Sequence, residues 1–330
     1  MKITEEITVI SRKRLDPFRP IVSVIINFAV KETMPIDENL KVLNKTIESI
    51  LLQDYDNLEI IVASDYDLGN EYVKFGINTK SYGNVVNYVK LSVHVGYEAV
   101  KELVKGGYVL LMNAGEYLTH SGYLTGTVKK MVTYPDIGII FANYSIVERP
   151  NHVVLQEDGL GLVDTLAANS WTKISGQWLF LNYDKLWCMP GTAVLRWKTC
   201  SDYVGDNIKN LNKLMFLPMI LDTNVAFHNH VVAKCRDGLD NGNGKLTLEN
   251  CHASLEYIEL ATLDALSAGC EKSNIQNWRL MIIKKYFSNL VTIANDSGVL
   301  MNGLYDIANK FGVMKLLHET ILEMVRKKKL

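Results

Sequence analysis

The stretch ESILLQDYDNLEIIVA, Glu48 to Ala63, decides how this chain folds. Its first half closes a helical pattern over residues 37–53, in which Leu40, Leu43, Ile47, Ile50 and Leu51 share one face and Asp37 stands as N-cap. Its second half, LEIIVA at 58–63, is the short β-branched run of a buried strand. Upstream, IVSVIINF (21–28) follows Pro20 and reads as another buried strand. Downstream come a strand near 86–92, a short helix after Gly96 and a strand at 108–112 (YVLLM). This alternation within the first 145 residues predicts βαβ units and a mainly parallel sheet. Ligands of such sheets sit at the carboxyl ends of the strands, which directs attention to the loops after residues 28, 63 and 112.

Composition narrows the function classes. The chain has 330 residues, 48% of them hydrophobic and 22% charged, enough for a sizeable core in one large domain with an annex or in two domains. Lysine plus arginine number 35 against 36 aspartates and glutamates, and that near-neutrality argues against a nucleic-acid binder. No run approaches the length of a membrane span; IVSVIINFAV is broken by Asn27. The opening MKITEEITVISRKRL has no signal-peptide core. Five cysteines without CxxC spacing (Cys188, Cys200, Cys235, Cys251, Cys270) fit reduced thiols rather than a zinc site or a disulfide framework. The expectation is a soluble, cytoplasmic protein.

The middle of the chain, 137–240, carries further strand-like runs: IGIIFANY, GTAVLRW and NVAFHNHVVAKC. From about 247 the signal is helical, with one stripe of Leu280, Ile283, Phe287, Leu290 and Val291 and another of Leu317, Ile321, Met324 and Val325. The expected organisation is an α/β domain over 1–245 and a helical C-terminal region over 246–330, joined near the glycine-rich DGLDNGNGK.

The order of these segments resembles the family 2 glycosyltransferases of GT-A fold. SVIINFAV stands where that family has a strand resembling SVIIPTYN, and ESILLQDYDNLEIIVASDYD where it has ESILxQxYxNxEIIVVDDGS. GYEAVKELVKGGYVLLMNAGE is similar to its GxxxARNxGxxxAxGxYIxFLDADD stretch, and AKCRDGLDNGNG echoes a late yRxHxxSxS-like loop. The likeness spans roughly residues 20–245. It implies a Rossmann-like mixed sheet flanked by helices, with a helical C-terminal annex. It also implies transfer of a sugar from a nucleotide donor, UDP-linked by preference, to a hydroxyl of a growing glycan or other acceptor, with inversion at the anomeric carbon.

Chemistry of that kind needs neutralised diphosphate charge, a general base for the acceptor hydroxyl and oriented contacts to the nucleoside. The family's DxD aspartates, hard ligands for Mn²⁺ or Mg²⁺, are replaced here by Asn113-Ala114-Gly115-Glu116. Glu116 alone keeps a carboxylate, with Asn113 as a neutral oxygen facing the diphosphate, so the alternatives are a weakened metal site or a loop that binds no metal. In the nucleobase loop, Ser64 and Asp65 stand where the family's aspartates contact the base; Asp65 either accepts from it or caps a turn. Phe28 takes the place of a nucleoside-contacting threonine, to stack on a base or to join the core. No acid occupies the family's base position before Arg236; Asp206 is the nearest substitute and equally reads as a helix cap.

Other features carry two readings each. His228 and His230 fall on one face of a regular strand and are either added metal ligands or ordinary polar-face histidines. Arg236 either stands in for metal charge at the leaving group or is a surface arginine. Trp171, Trp178, Trp187 and Trp197 form an acceptor platform or fill the core. The basic end Arg326-Lys327-Lys328-Lys329 of an amphipathic helix either rests on an anionic membrane or is a solvated terminus. Two functions therefore remain: a glycosyltransferase, or a catalytically degenerate GT-A protein that binds a sugar nucleotide or a partner.

Overall fold

The structure, a computed structural model, describes residues 7–11, 19–30, 34–64, 66, 85–90, 98–147, 154–156, 171–181, 190–204, 216–236, 248–294 and 298–328. In chain order its strands are β1 (Ile7–Ser11), β2 (Val22–Asn27), β3 (Leu58–Ser64), β4 (Val85–Lys90), β5 (Tyr108–Asn113), β6 (Tyr117–Leu118), β7 (Ile137–Val147), β8 (Val154–Gln156), β9 (Trp171–Ile174), β10 (Val194–Arg196) and β11 (Asn224–Arg236). Its helices are α1 (Ile36–Leu51), α2 (Glu98–Leu103), α3 (Tyr123–Thr133), α4 (Gly176–Leu181), α5 (Trp197–Cys200), α6 (Phe216–Leu221), α7 (Leu248–Ser267), α8 (Lys272–Ala294), α9 (Gly298–Lys310) and α10 (Met314–Lys328).

Among the described residues the strands join in one mixed sheet of order β1-β4-β3-β2-β5-β10-β7-β11-β6, with β8 on β7 and β9 on β11. The stretch β4-β3-β2-β5 is parallel throughout. Of these, β2, β3 and β5 are near-continuous apolar runs because both their faces are covered, which explains why alternation was absent from their sequence. β10 runs antiparallel to β5 and β7, whereas β11 is parallel to β7.

Alternate side chains of the strands feed two cores. Val22, Val24, Ile26, Ile60 and Val62 point to the side covered by α1 and α3, where Leu40, Leu43, Ile47, Ile50 and Met131 meet them. Ile25, Ile61, Val109, Phe141 and Phe227 point to the other side and form one continuous core with Leu255, Ile258, Trp278, Ile283, Phe287 and Leu317. The helical annex therefore completes the second face of the sheet. Each of these fully buried aliphatic side chains contributes about 1.5–3 kcal/mol of transfer free energy. Trp278 on α8 stacks on Phe180 of α4, ring centroids 4.0 Å apart, and its Nε1 donates to the Phe180 carbonyl at 2.9 Å.

Three local expectations are corrected. Asp37 is not the N-cap of α1: Pro35 precedes the helix, and Asp37 with Glu38 lies in the first turn, facing the positive end of the helix dipole. Leu280 and Val325 leave their stripes and are 44% and 46% exposed, while Ile282 turns inward instead. The regular alternation that put His228 and His230 on one face is interrupted, since the β11–β7 register shifts between His228 and Val231. Cys200 is buried and Cys270 half-buried, both unpaired. No helix among the described residues is long and apolar enough to cross a membrane.

Candidate functional site at the carboxyl ends of the parallel strands

From β2 the chain builds outward through β3 and β4, then returns to place β5 on the opposite side of β2. The order of the strands therefore reverses between β2 and β5, and in open α/β sheets the ligand crevice lies at such a reversal, outside the carboxyl ends of the strands. Asn27, the last residue of β2, lies in register with Ala63 on one side and Asn113 on the other. Its Nδ2 donates to Asn113 Oδ1 at 3.3 Å, and its carbonyl accepts the Ala114 N–H at 2.9 Å. Asn27 escaped the sequence reading; the signal for it was one polar residue ending an otherwise apolar run.

Phe28 is 2% exposed and belongs to the core beneath α1, so its ring faces Leu40 and its neighbours rather than the crevice. Ser64, at the end of β3, is buried and its hydroxyl accepts the Tyr66 N–H at 3.1 Å, closing a tight turn. Asp65 itself lies outside the described residues.

Beyond β5 the backbone makes a sharp loop through Gly115, whose φ of 103° suits glycine. This loop is held from below by a polar edge of α1: Thr46 Oγ1 accepts the Gly115 N–H at 2.8 Å, and Ser49 Oγ accepts the Leu118 N–H at 3.1 Å. Gln53 continues the edge, donating to the His120 carbonyl at 3.1 Å. Thr46, Ser49 and Gln53 fall at helical spacing among the apolar positions, a pattern readable in sequence only as imperfect amphipathicity.

Glu116 is wholly buried. Its Oε2 accepts the Asn113 N–H at 2.8 Å, its Oε1 accepts Asn113 Nδ2 at 3.2 Å, and the Gly191 N–H supplies a further bond. Burial pushes its carboxyl up to about 7, against the opposing pull of those N–H donors. Gly191 belongs to the 190–192 turn before β10, and a Cβ there would stand 2.4 Å from Glu116 Oε2. Only glycine allows the turn to come so close.

The same turn reaches the histidine region. Tyr123 of α3, fully buried, donates to the Thr192 carbonyl at 2.5 Å. Its ring lies edge-on to that of His228, centroids 5.9 Å apart, and the His120 ring also meets His228 at 6.2 Å. His228 is 7% exposed and sits in an aromatic setting. The side chains of His230 and Arg236 lie outside the described residues, although Arg236 is the last residue of β11 and pairs with Val147. Asp206 lies outside them too. Trp197 packs against the annex-side core; Trp187 and the side chains of Trp171 and Trp178 are outside the described set.

A divalent cation needs several hard oxygen ligands turned toward one point. Among the described residues no cluster of three or more His, Cys, Asp or Glu side chains offers this. Gly115 has no side chain, Glu116 turns its oxygens to internal N–H groups, and Asn113 Oδ1 faces Asn27. Among the described residues, the donor set at this strand end does not fit a metal.

No protein-family profile matches the chain, and no curated protein matches it by sequence. Solved structures do match. S. aureus TarS 1–349 in complex with UDP superposes with a TM-score of 0.57 at 13% identity, over 91% of this chain and 87% of that one. The structure titled S. aureus TarS 1–349 alone gives 0.57 at 13% identity, over 87% and 79%. That titled S. aureus TarS gives 0.58 at 13% identity, over 92% of this chain and 53% of the other. The chain has the GT-A fold, a mixed α/β sheet flanked by helices.

Proposed function

We propose that this chain is a glycosyltransferase that moves a sugar from a nucleotide-linked donor, a UDP-sugar by preference, to a hydroxyl acceptor such as a growing glycan. The observation that carries the reading is the reversal of strand order between β2 and β5, at whose carboxyl ends Asn27 and Asn113 meet and the Ser64 turn follows β3. It is supported by the likeness of the fold to TarS, a structure of which holds UDP.

In this reading Ser64 and Asp65 line the nucleobase end of the crevice, and Asn113 faces the diphosphate. Asp206 takes the proton of the acceptor hydroxyl as its oxygen attacks the anomeric carbon. The bond from that carbon to the phosphate oxygen breaks, configuration inverts, and Arg236 opposes the charge that gathers on the departing nucleoside diphosphate. No step is assigned to a metal. The basic end of α10, where Leu322 and Val325 are exposed ahead of Arg326, would bring the enzyme to an anionic lipid surface.

A second reading, a sugar-nucleotide-binding protein without catalysis, is favoured by the internal use of the Glu116 carboxylate. Calorimetry of UDP and a panel of nucleotide sugars, followed by a nucleoside-diphosphate release assay, separates the two. Binding with release of the diphosphate supports the enzyme; binding without release supports the second reading; absence of binding across the panel removes both.

A further inference from the structure

The strand end that would face a diphosphate is built around a carboxylate that points away from it. Three N–H groups converge on Glu116: the backbone and side-chain amides of Asn113 and the backbone amide of Gly191. The first two come from its own loop and the third from the turn before β10, so the carboxylate joins two segments remote in sequence. Two independent features belong to the same arrangement. Gly191 lacks the Cβ that would strike Oε2, and Gly115, at positive φ, is pinned to Thr46 from the α1 side. Rotating Glu116 outward to a cation would strand buried N–H donors, which proteins rarely tolerate.

We propose that Glu116 is a positioning residue. Its carboxylate clips the β5 loop to the 190–192 turn and sets the Asn113–Asn27 amide pair, so that a nucleoside diphosphate is held here without a divalent cation. The ligand class rests on the glycosyltransferase reading; the clip does not. By fixing Asn113 Nδ2, Glu116 leaves Asn113 Oδ1 to receive Asn27 Nδ2, and the two strand ends are locked edge to edge.

The test uses the full chain labelled with [15N]glycine. Mn²⁺ alone, added in excess without nucleotide, is expected to broaden the Gly115 and Gly191 amide signals no more than those of Gly269 and Gly312, which lie at turns of the annex. Selective loss of the Gly115 and Gly191 signals overturns the proposal. In Glu116→Gln the Gly191 amide proton is expected to move upfield while that of Gly106, bonded to Ser23 Oγ, stays in place. An unmoved Gly191 signal overturns the clip. Should that variant not fold, the wild-type Mn²⁺ titration decides. UDP affinity measured in EDTA and in Mn²⁺ is expected to agree within about twofold, and tightening by tenfold or more in Mn²⁺ overturns metal independence. If UDP binds in neither condition, the glycosyltransferase reading and the diphosphate half of this proposal fall, and the glycine signals still judge the clip.

Discussion

The two ends of the parallel strands are closed in contrasting ways. At the amino end, Tyr55, Asn57 and Glu59 tie the sheet to its entry segment. Tyr55 OH donates to the Pro20 carbonyl, and Asn57 Nδ2 donates to the carbonyls of Arg19 and Pro20 at 2.9 and 3.2 Å. Glu59, fully buried, accepts from the Ser23 hydroxyl and from the Lys105 N–H, and its second oxygen has no hydrogen-bond partner among the described residues. At the carboxyl end Glu116 has both oxygens occupied, and the remaining ties run through neutral amides. Tyr55, Asn57 and Glu59 of the family-like block thus hold the fold together at the end away from the crevice, while Ser49 and Gln53 of the same block hold the loop beyond β5. Those that depart from it cluster where ligand chemistry would occur.

Gly106→Ala and Gly191→Ala give the largest expected effects and rank the two ends. A Cβ at Gly106 would meet Ser23 N at 2.6 Å and Tyr108 O at 2.7 Å, backbone atoms of two sheet strands that cannot yield. A loss of more than ~3 kcal/mol is expected, seen as failure to recover folded protein. A Cβ at Gly191 would meet only the Glu116 side chain, so ~1–3 kcal/mol is expected in chemical denaturation. Equal losses at the two sites would erase the contrast between a backbone seam and a side-chain clip.

Glu116 gives the carboxyl end a pH signature. Its carboxyl lies at about 7 when folded against an ordinary 4.5. Between those values the folded chain holds a proton that the unfolded chain has lost, so stability from this residue is fully present below about 4.5. It declines as pH rises toward 7 and is level above. The change is on the order of 3 kcal/mol. Denaturation of wild type and Glu116→Gln at pH 5 and pH 8 should show a fall in the first that is much reduced in the second. Parallel behaviour would mean that Glu116 does not titrate in this window.

Smaller effects sharpen the picture of the amino end. Tyr55→Phe removes a hydrogen bond to the Pro20 carbonyl and should cost ~1–2 kcal/mol. Asp56→Asn removes the exposed ion pair with Arg19, 2.6 Å long, and should cost at most ~0.5 kcal/mol, a cost that vanishes in high salt. If Asp56→Asn costs as much as Tyr55→Phe, surface charge rather than the buried hydroxyl secures this seam.

Much of the fold was legible because its signals are local. The runs VSVII, LEIIV and YVLLM specify strands by β-branching and length, and the spacing of Leu40, Leu43, Ile47 and Ile50 specifies the buried face of α1. The crevice was legible to the level of its loops, since ligand position in an α/β sheet follows from strand order. Its individual residues were less so. Phe28 reads as core or as a stacking group until burial decides, and the spacing of His228 and His230 presumes a regular strand that β11 does not keep.

Sequence alone therefore determined which segments become strands and helices, in what order, and which of them carry the family-like seam. These are properties of short windows and of repeating polarity. Only the tertiary structure decided what the surviving carboxylate of the β5 loop is for. Two hydrogen bonds to Glu116 come from Asn113 in its own loop, but the third comes from the Gly191 turn distant in the chain, and the side chain is wholly buried only in the folded protein. Polarity in a sequence says that a side chain needs partners. The fold says whether those partners are a ligand or the protein itself.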